Sequence, residues 1–224
     1  MLHVDFPAWS AAFSERDDGD LRVSSRTSAE PLDAVQARLL GALEVAAVVV
    51  GRQVHGADVV VVGEPTDGYV VGLVQGDAVA TALAGVAAAV HVADCLPIAV
   101  GGEGAVAMLH GGWRGLEAGI VPAGVAALRR LGAEGQLQAA IGPGVGGCCY
   151  ETGDEVRGRF AAYGASAGRL LDLKAVAAAQ LAAAGVALVE DCALCTICSP
   201  PGRLFSHRRD GPDTGRQGGF AWLR

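Results

Sequence analysis

The 224-residue chain predicts a single α+β domain with mixed sheet, and three observations carry that reading. Short apolar, largely β-branched runs alternate with segments of helical spacing. Glycine, proline and acidic turns separate them, with no composition shift that would mark a linker. The chain is 51% hydrophobic, enough at this length for one sizeable core. No internal repeat is visible, and the order of elements places α and β structure together over 1–224 without fixing their topology.

Leu32, Val35, Leu39, Leu40 and Leu43 recur at helical spacing after Pro31, so residues 31–43 read as an amphipathic helix. Residues 45–50 follow as a strand. The runs 59–62, 87–92, 97–100 and 105–109 are bounded by turn residues and read as further strands. Leu116, Ile120, Val125, Leu128 and Leu131 mark a helix, with Pro122 confined to its first turns because proline has no amide hydrogen to give. Residues 138–141 and 186–189 are strand-like. Residues 153–163 and 173–184 have helical composition, the second with Asp172 as its N-cap.

A formal charge of −7 argues against nucleic acid or an anionic membrane as partner. The first twenty residues carry Asp5, Glu15, Asp17, Asp18 and Asp20, unlike a signal peptide. Arg52, His55 and Asp58 interrupt one long apolar run, and His91 and Asp94 the other, so neither is a membrane span. Six cysteines in a chain without a secretion signal read as reduced thiols in the cytoplasm.

His55, Cys95 and His110 stand at the edges of three separate apolar runs. Two imidazoles and one thiol suit zinc, with a fourth position open to water or substrate. The alternative is two loop histidines and a small buried cysteine. Arg52, Arg114, Arg208, Arg209 and Arg216 are the candidate anion ligands in an acidic chain, and the glycines of 142–147 could add an amide-lined concavity. Cys192, Cys195 and Cys198 form C-x-x-C-x-x-C, but Ser199 to Gly202 lack the further cysteine of a ferredoxin run. They read as reduced, partly buried thiols.

Seven segments occur in one order: Gln53-Val54-His55-Gly56, Asp77-Ala78-Val79-Ala80-Thr81, Ala93-Asp94-Cys95-Leu96-Pro97, His110-Gly111-Gly112-Trp113-Arg114-Gly115, Ile141-Gly142-Pro143, Cys148-Cys149-Tyr150-Glu151 and Phe205-Ser206-His207-Arg208-Arg209-Asp210-Gly211. Together they resemble the bacterial YfiH/YlmD family, long labelled a multicopper polyphenol oxidoreductase or laccase domain and now described as purine nucleoside phosphorylase. The resemblance runs from about Val45 to the end. It implies a four-layer α/β/β/α sandwich with mixed sheets.

The resemblance also implies that His55, Cys95 and His110 are zinc ligands, and that Cys148 and Tyr150 lie near the pocket. Such a zinc would lower the pKa of a water in its open position to about 7. Asp77 is the first candidate for the acid/base carboxylate, Glu151 a second, and Arg52, Arg114 and Arg208 the candidates for phosphate. The implied function is phosphorolysis of adenosine, inosine and S-methyl-5'-thioadenosine, with deamination of adenosine to inosine. The implied assembly is a monomer or weak homodimer.

Two alternatives stand beside it. One is a zinc or cysteine amide hydrolase acting on a peptidoglycan precursor, with Cys95 as nucleophile and His110 as base. The other is a copper-dependent phenol oxidase, disfavoured because five histidines, with no His-x-His pair, are too few to hold several coppers. The chain departs from the family in its N-terminal segment, where 14–30 is short and polar, and at His207, where the family often has tyrosine.

Overall fold

Two six-stranded mixed sheets face each other across a core built largely from alanine and valine. The computed structural model describes residues 1–22, 31–200 and 202–224. In chain order the elements are β1 (Leu2–Asp5), β2 (Trp9–Phe13), α1 (Leu32–Leu43), β3 (Ala47–Arg52), β4 (Val59–Val62), β5 (Gly68–Gln75), β6 (Ala78–Thr81) and β7 (Val86–Val92). Then come β8 (Leu96–Glu103), β9 (Ala105–Gly111), α2 (Trp113–Ala118), α3 (Ile120–Arg130), β10 (Glu134–Ile141) and α4 (Asp154–Arg159). The last are β11 (Ser166–Ala167), β12 (Leu170–Leu171), α5 (Leu173–Ala183), β13 (Leu188–Asp191), α6 (His207–Asp210) and β14 (Gln217–Leu223).

One sheet has the order β1-β2-β14-β7-β3-β5, and the other β13-β10-β8-β9-β6-β4. Each combines antiparallel ladders with parallel ones, such as β3 on β7 and β4 on β6. Trp9, Phe13, Val49 and Val90 from the first sheet pack against Val79, Val106, Met108 and Ala140 from the second. Close approach of the sheets depends on small residues there: a Cβ on Gly101 would lie 2.7 Å from the indole of Trp9. On the outer face of the first sheet, Val35, Leu39 and Leu43 of α1 cover Val48, Val50, Ala87 and Ala89. On the outer face of the second, α2, α3 and α5 cover Ala80, Ile98, Ala107 and Ala139. The result is the expected α/β/β/α layering.

The expected helix after the tryptophan motif is two helices, broken at Gly119, whose φ of +89° lies in the left-handed region. Pro122 sits in the first turn of the second. Asp172 caps α5 by accepting from the amides of Lys174 and Ala175. Strands β1, β2, β5, β6, β11, β12 and β14 have no counterpart in the sequence reading. All five residues of β2 are buried, which removes the alternation by which a half-buried strand is recognised. No helix among the described residues is long and apolar enough to cross a membrane.

Candidate active site

The site forms where the ends of β3, β8 and β9 converge. His110 is the sixth residue of β9, opposite Pro97 in the β8 ladder, so Cys95, just before β8, falls beside it. His55 comes from the turn after β3. The ligand atoms of His55, Cys95 and His110 all lie within 4.8 Å of one another. Gly112 makes room for them, because a Cβ there would lie 2.9 Å from Cys95 Sγ and 3.3 Å from the His55 ring. His55 and Asp94 hold positive φ values of 63° and 89°, backbone strain that only the surrounding contacts can maintain.

Asp77 explains how the turn is held. It is fully buried, and Oδ1 accepts from the His55 amide at 2.7 Å and from His110 Nδ1 at 2.8 Å. Oδ2 accepts from the amides of Val54 at 3.0 Å and Gly56 at 2.8 Å. Burial opposes the charge, but these bonds outweigh it and hold the carboxyl at about 2. With Nδ1–H committed to Asp77, Nε2 of His110 is left as the donor to a metal. Asp77, expected as the acid/base group, stands behind His110 and not in the pocket.

Without a metal, Cys95 and His110 act as a pair. Burial raises the Cys95 thiol, yet hydrogen bonds and charge from the two histidines bring it down to about 6. Burial likewise works against charge on His110, and the Cys95 thiolate and Asp77 lift it to about 9. A thiolate with two imidazoles is a donor set suited to zinc. Of the other histidines, His3 lies against Trp222, His91 Nε2 is bonded to the Tyr69 hydroxyl at 3.0 Å, and His207 is exposed at the start of α6.

His55, Cys95 and His110 open into a cavity of about 570 Å³, also lined by Arg22, Gln53, His91, Asp94, Tyr150, His207, Arg208 and Arg216. Arg208 donates its amide to Asp94 Oδ2 at 2.7 Å and places its guanidinium 5.2 Å from the centre of the Tyr150 ring. Arg216 is anchored on the carbonyls of Thr214 and Gly215, and Arg22 on Asp213. Burial keeps the Tyr150 phenol protonated by raising its pKa.

Several candidates lie elsewhere. Arg52 points away to Gln75 on the sheet edge, and Arg114 stacks on Trp113, 4.2 Å from the ring centre; neither lines the cavity. Arg209 bonds the carbonyls of Thr196 and Leu204 and the carboxylate of Asp210. Glu151 is exposed and faces Arg169 at 3.6 Å, although its carbonyl accepts from Arg208. Cys148 belongs to a separate group of thiols. Of the residues expected near the chemistry, Tyr150 and Arg208 do reach the cavity. Arg22 was missed because it adjoins a polar segment without a motif, part of which (23–30) lies outside the described residues.

A family model described as multi-copper polyphenol oxidoreductase laccase matches residues 14–224. A purine nucleoside phosphorylase of Streptomyces coelicolor is 42% identical over 198 residues, which cover 84% of this chain and 79% of that protein. Another, from Deinococcus radiodurans, is 36% identical over 198 residues and covers 83% and 75%. Among solved structures, a Neisseria meningitidis protein matches with a TM-score of 0.84 at 28% identity, covering 99% of this chain and 98% of its own. YlmD from Geobacillus stearothermophilus matches at 0.77 and 29% identity, covering 96% and 91%.

Proposed function

This chain belongs to the multi-copper polyphenol oxidoreductase laccase family, and we propose that it works there as a zinc-dependent purine nucleoside phosphorylase. The relatives are named purine nucleoside phosphorylase, and the zinc is read from the donor set of the site. The observation that carries the reading is one cavity lined both by His55, Cys95 and His110 and by three arginines, Arg22, Arg208 and Arg216. An oxidase of several coppers would need more histidines than the five of this chain, none of which forms a His-x-His pair.

Phosphorolysis joins a phosphate oxygen to the ribose anomeric carbon, breaks the bond from that carbon to the purine, and requires a proton for the departing base. Arg22, Arg208 and Arg216 would bind the phosphate and offset its charge. Tyr150, kept protonated, would donate a hydrogen bond to the nucleoside. Asp94 is the one carboxylate among the described lining residues; its Oδ1 accepts from Thr196 at 2.5 Å and its Oδ2 from the Arg208 amide, which fixes the loop beside the cavity, and the attacking hydrogen phosphate would bring the proton that the purine takes as it leaves. Zinc held by His55, Cys95 and His110 would supply Lewis-acid polarisation and activation of water. Asp77 would hold the proton on His110 Nδ1 and so fix the ring.

The proposal extends to adenosine, inosine and S-methyl-5'-thioadenosine as substrates and to deamination of adenosine, which needs water and no phosphate. Incubating zinc-loaded protein with adenosine, with and without phosphate, tests both. Adenine and ribose 1-phosphate that require phosphate, inosine that does not, and loss of both in Cys95→Ala are expected. Absence of any product from the wild-type protein would sink the proposal.

The charged Cys95–His110 pair favours one second reading, hydrolysis of an amide in a peptidoglycan precursor by the metal-free protein. Cys95 would attack the carbonyl carbon, His110 would give its proton to the leaving amine, and water, losing a proton to His110, would then cleave the thioester to free the acid and restore the Cys95 thiolate. Zinc separates the two: it should block that hydrolysis and support phosphorolysis.

A further inference from the structure

Outside the cavity, four thiols meet that the sequence scatters. Cys148, Cys149, Cys195 and Cys198 have sulfurs all within 4.8 Å of one another, and Cys148 Sγ lies 3.6 Å from Cys198 Sγ. Cys192 stands apart, so the C-x-x-C-x-x-C run contributes only its last two members. The other two come from a turn nearly fifty residues earlier, which is why no local spacing exposed the group. We propose that these four cysteines form a second zinc site, structural in kind and separate from the site at His55, Cys95 and His110.

The geometry fits a single tetrahedral ion. Zinc–sulfur bonds of about 2.3 Å imply sulfur–sulfur edges of about 3.8 Å. The observed group requires little contraction to reach them. An iron–sulfur cube would place four irons between its cysteines and spread the sulfurs further apart. Four protein ligands leave no open position, which is the mark of a structural site.

The surroundings suit thiolates. The Gly146 amide points at Cys195 Sγ from 3.3 Å, and the amides of Ile197 and Cys198 also bond it. Arg209 of α6, itself paired with Asp210, braces the same turn by donating to the carbonyls of Thr196 at 2.7 Å and Ile197 at 3.4 Å. Both halves are irregular chain, joined otherwise by an isolated bridge of Gly144 with Cys195.

An ion here would staple two segments that serve the cavity. One carries Tyr150, directly after Cys149. In the other, Thr196 directly follows Cys195 and holds Asp94. Cys148 and Cys198 are exposed, so replacing either removes a ligand without opening the core.

The test is zinc content per chain after loading under reducing conditions and gel filtration, in wild-type protein, Cys95→Ala, and Cys95→Ala combined with Cys198→Ser or with Cys148→Ser. Retention of one zinc in Cys95→Ala and its loss in both double variants, with the circular dichroism spectrum unchanged, is the expected result. Cobalt bound to Cys95→Ala should show the strong charge-transfer absorption of four thiolates. The inference is overturned if Cys95→Ala holds no metal, if its metal survives both serine substitutions, or if intact mass shows the four cysteines joined as disulfides. Wild-type protein with metal only at the four cysteines would leave this site standing and remove zinc from the proposed catalysis.

Discussion

Asp77 Oδ1 accepts from Nδ1 of His110 at 2.8 Å, and both groups are buried. The same carboxylate takes three backbone amides of the turn that presents His55, so one side chain orients two of the three residues proposed to hold zinc. Its chemistry is therefore exercised through the histidines.

Replacing Asp77 with asparagine leaves one acceptor oxygen where four donors converge. We expect zinc affinity at the His55, Cys95 and His110 site to fall about 10- to 100-fold. Stability should fall by on the order of 3 kcal/mol from the orphaned amides. Chelator competition and thermal melting measure the two effects, and an unchanged zinc affinity would return Asp77 to a purely scaffolding role.

Arg22, Arg208 and Arg216 line the cavity, and Arg52 does not. Alanine at Arg208 should lower kcat/KM for phosphate by on the order of 10- to 100-fold, the value of a charge-assisted hydrogen bond of about 1.5–3 kcal/mol. Alanine at Arg22 should act in the same direction, while Arg52→Ala should leave phosphate kinetics near wild type. Initial rates over a phosphate series distinguish them, with phosphate-independent deamination as the internal control; equal loss of both activities in Arg208→Ala would mean that it holds the nucleoside.

The helix of residues 32–43 and the cap at Asp172 were legible in the sequence because each depends on local spacing or on one side chain meeting its neighbouring amides. The order of motifs around His55, Cys95 and His110 also identified three residues that the fold does bring together. What escaped notice is non-local. Asp77 resembles a turn aspartate until it is seen 2.8 Å from a residue 33 positions away. Strand β14 begins Gln-Gly-Gly and offers no apolar alternation, yet it lies between β2 and β7, where Gly219 lets it pack under Pro97 and Met108. Cys148 and Cys195 belong together only once Gly144 and Cys195 are paired in space.

Gly101 faces Trp9 so closely that a methyl group has no room, since its carbon would lie 2.7 Å from the indole. Gly101→Ala should cost about 1–3 kcal/mol through overpacking between the sheets. At roughly 2–4 °C per kcal/mol for a chain of this size, the melting temperature should drop by several degrees. Gly63→Ala, with nothing within 4 Å of the added carbon, is the matched control and should melt near wild type. Equal melting of the two variants would show that the sheets can separate at little cost.

His91 should make the fold sensitive to mild acid. Burial, reinforced by the charge of Arg216 and opposed by Asp20, lowers its pKa from 6.5 to about 4. The folded protein thus resists a proton that the unfolded chain accepts. Stability is complete above pH 6.5 and declines as pH falls toward 4, by at most about 1.4 kcal/mol per pH unit from this one group. Asp77 and Asp210, held at about 2, act below that window, and the Cys95–His110 pair acts mainly above it. In metal-free protein, melting temperatures from pH 6 to 4.5 should fall for the wild type and fall less for His91→Gln, which keeps a polar side chain but cannot titrate. Parallel curves for the two proteins would assign the acid sensitivity to another group.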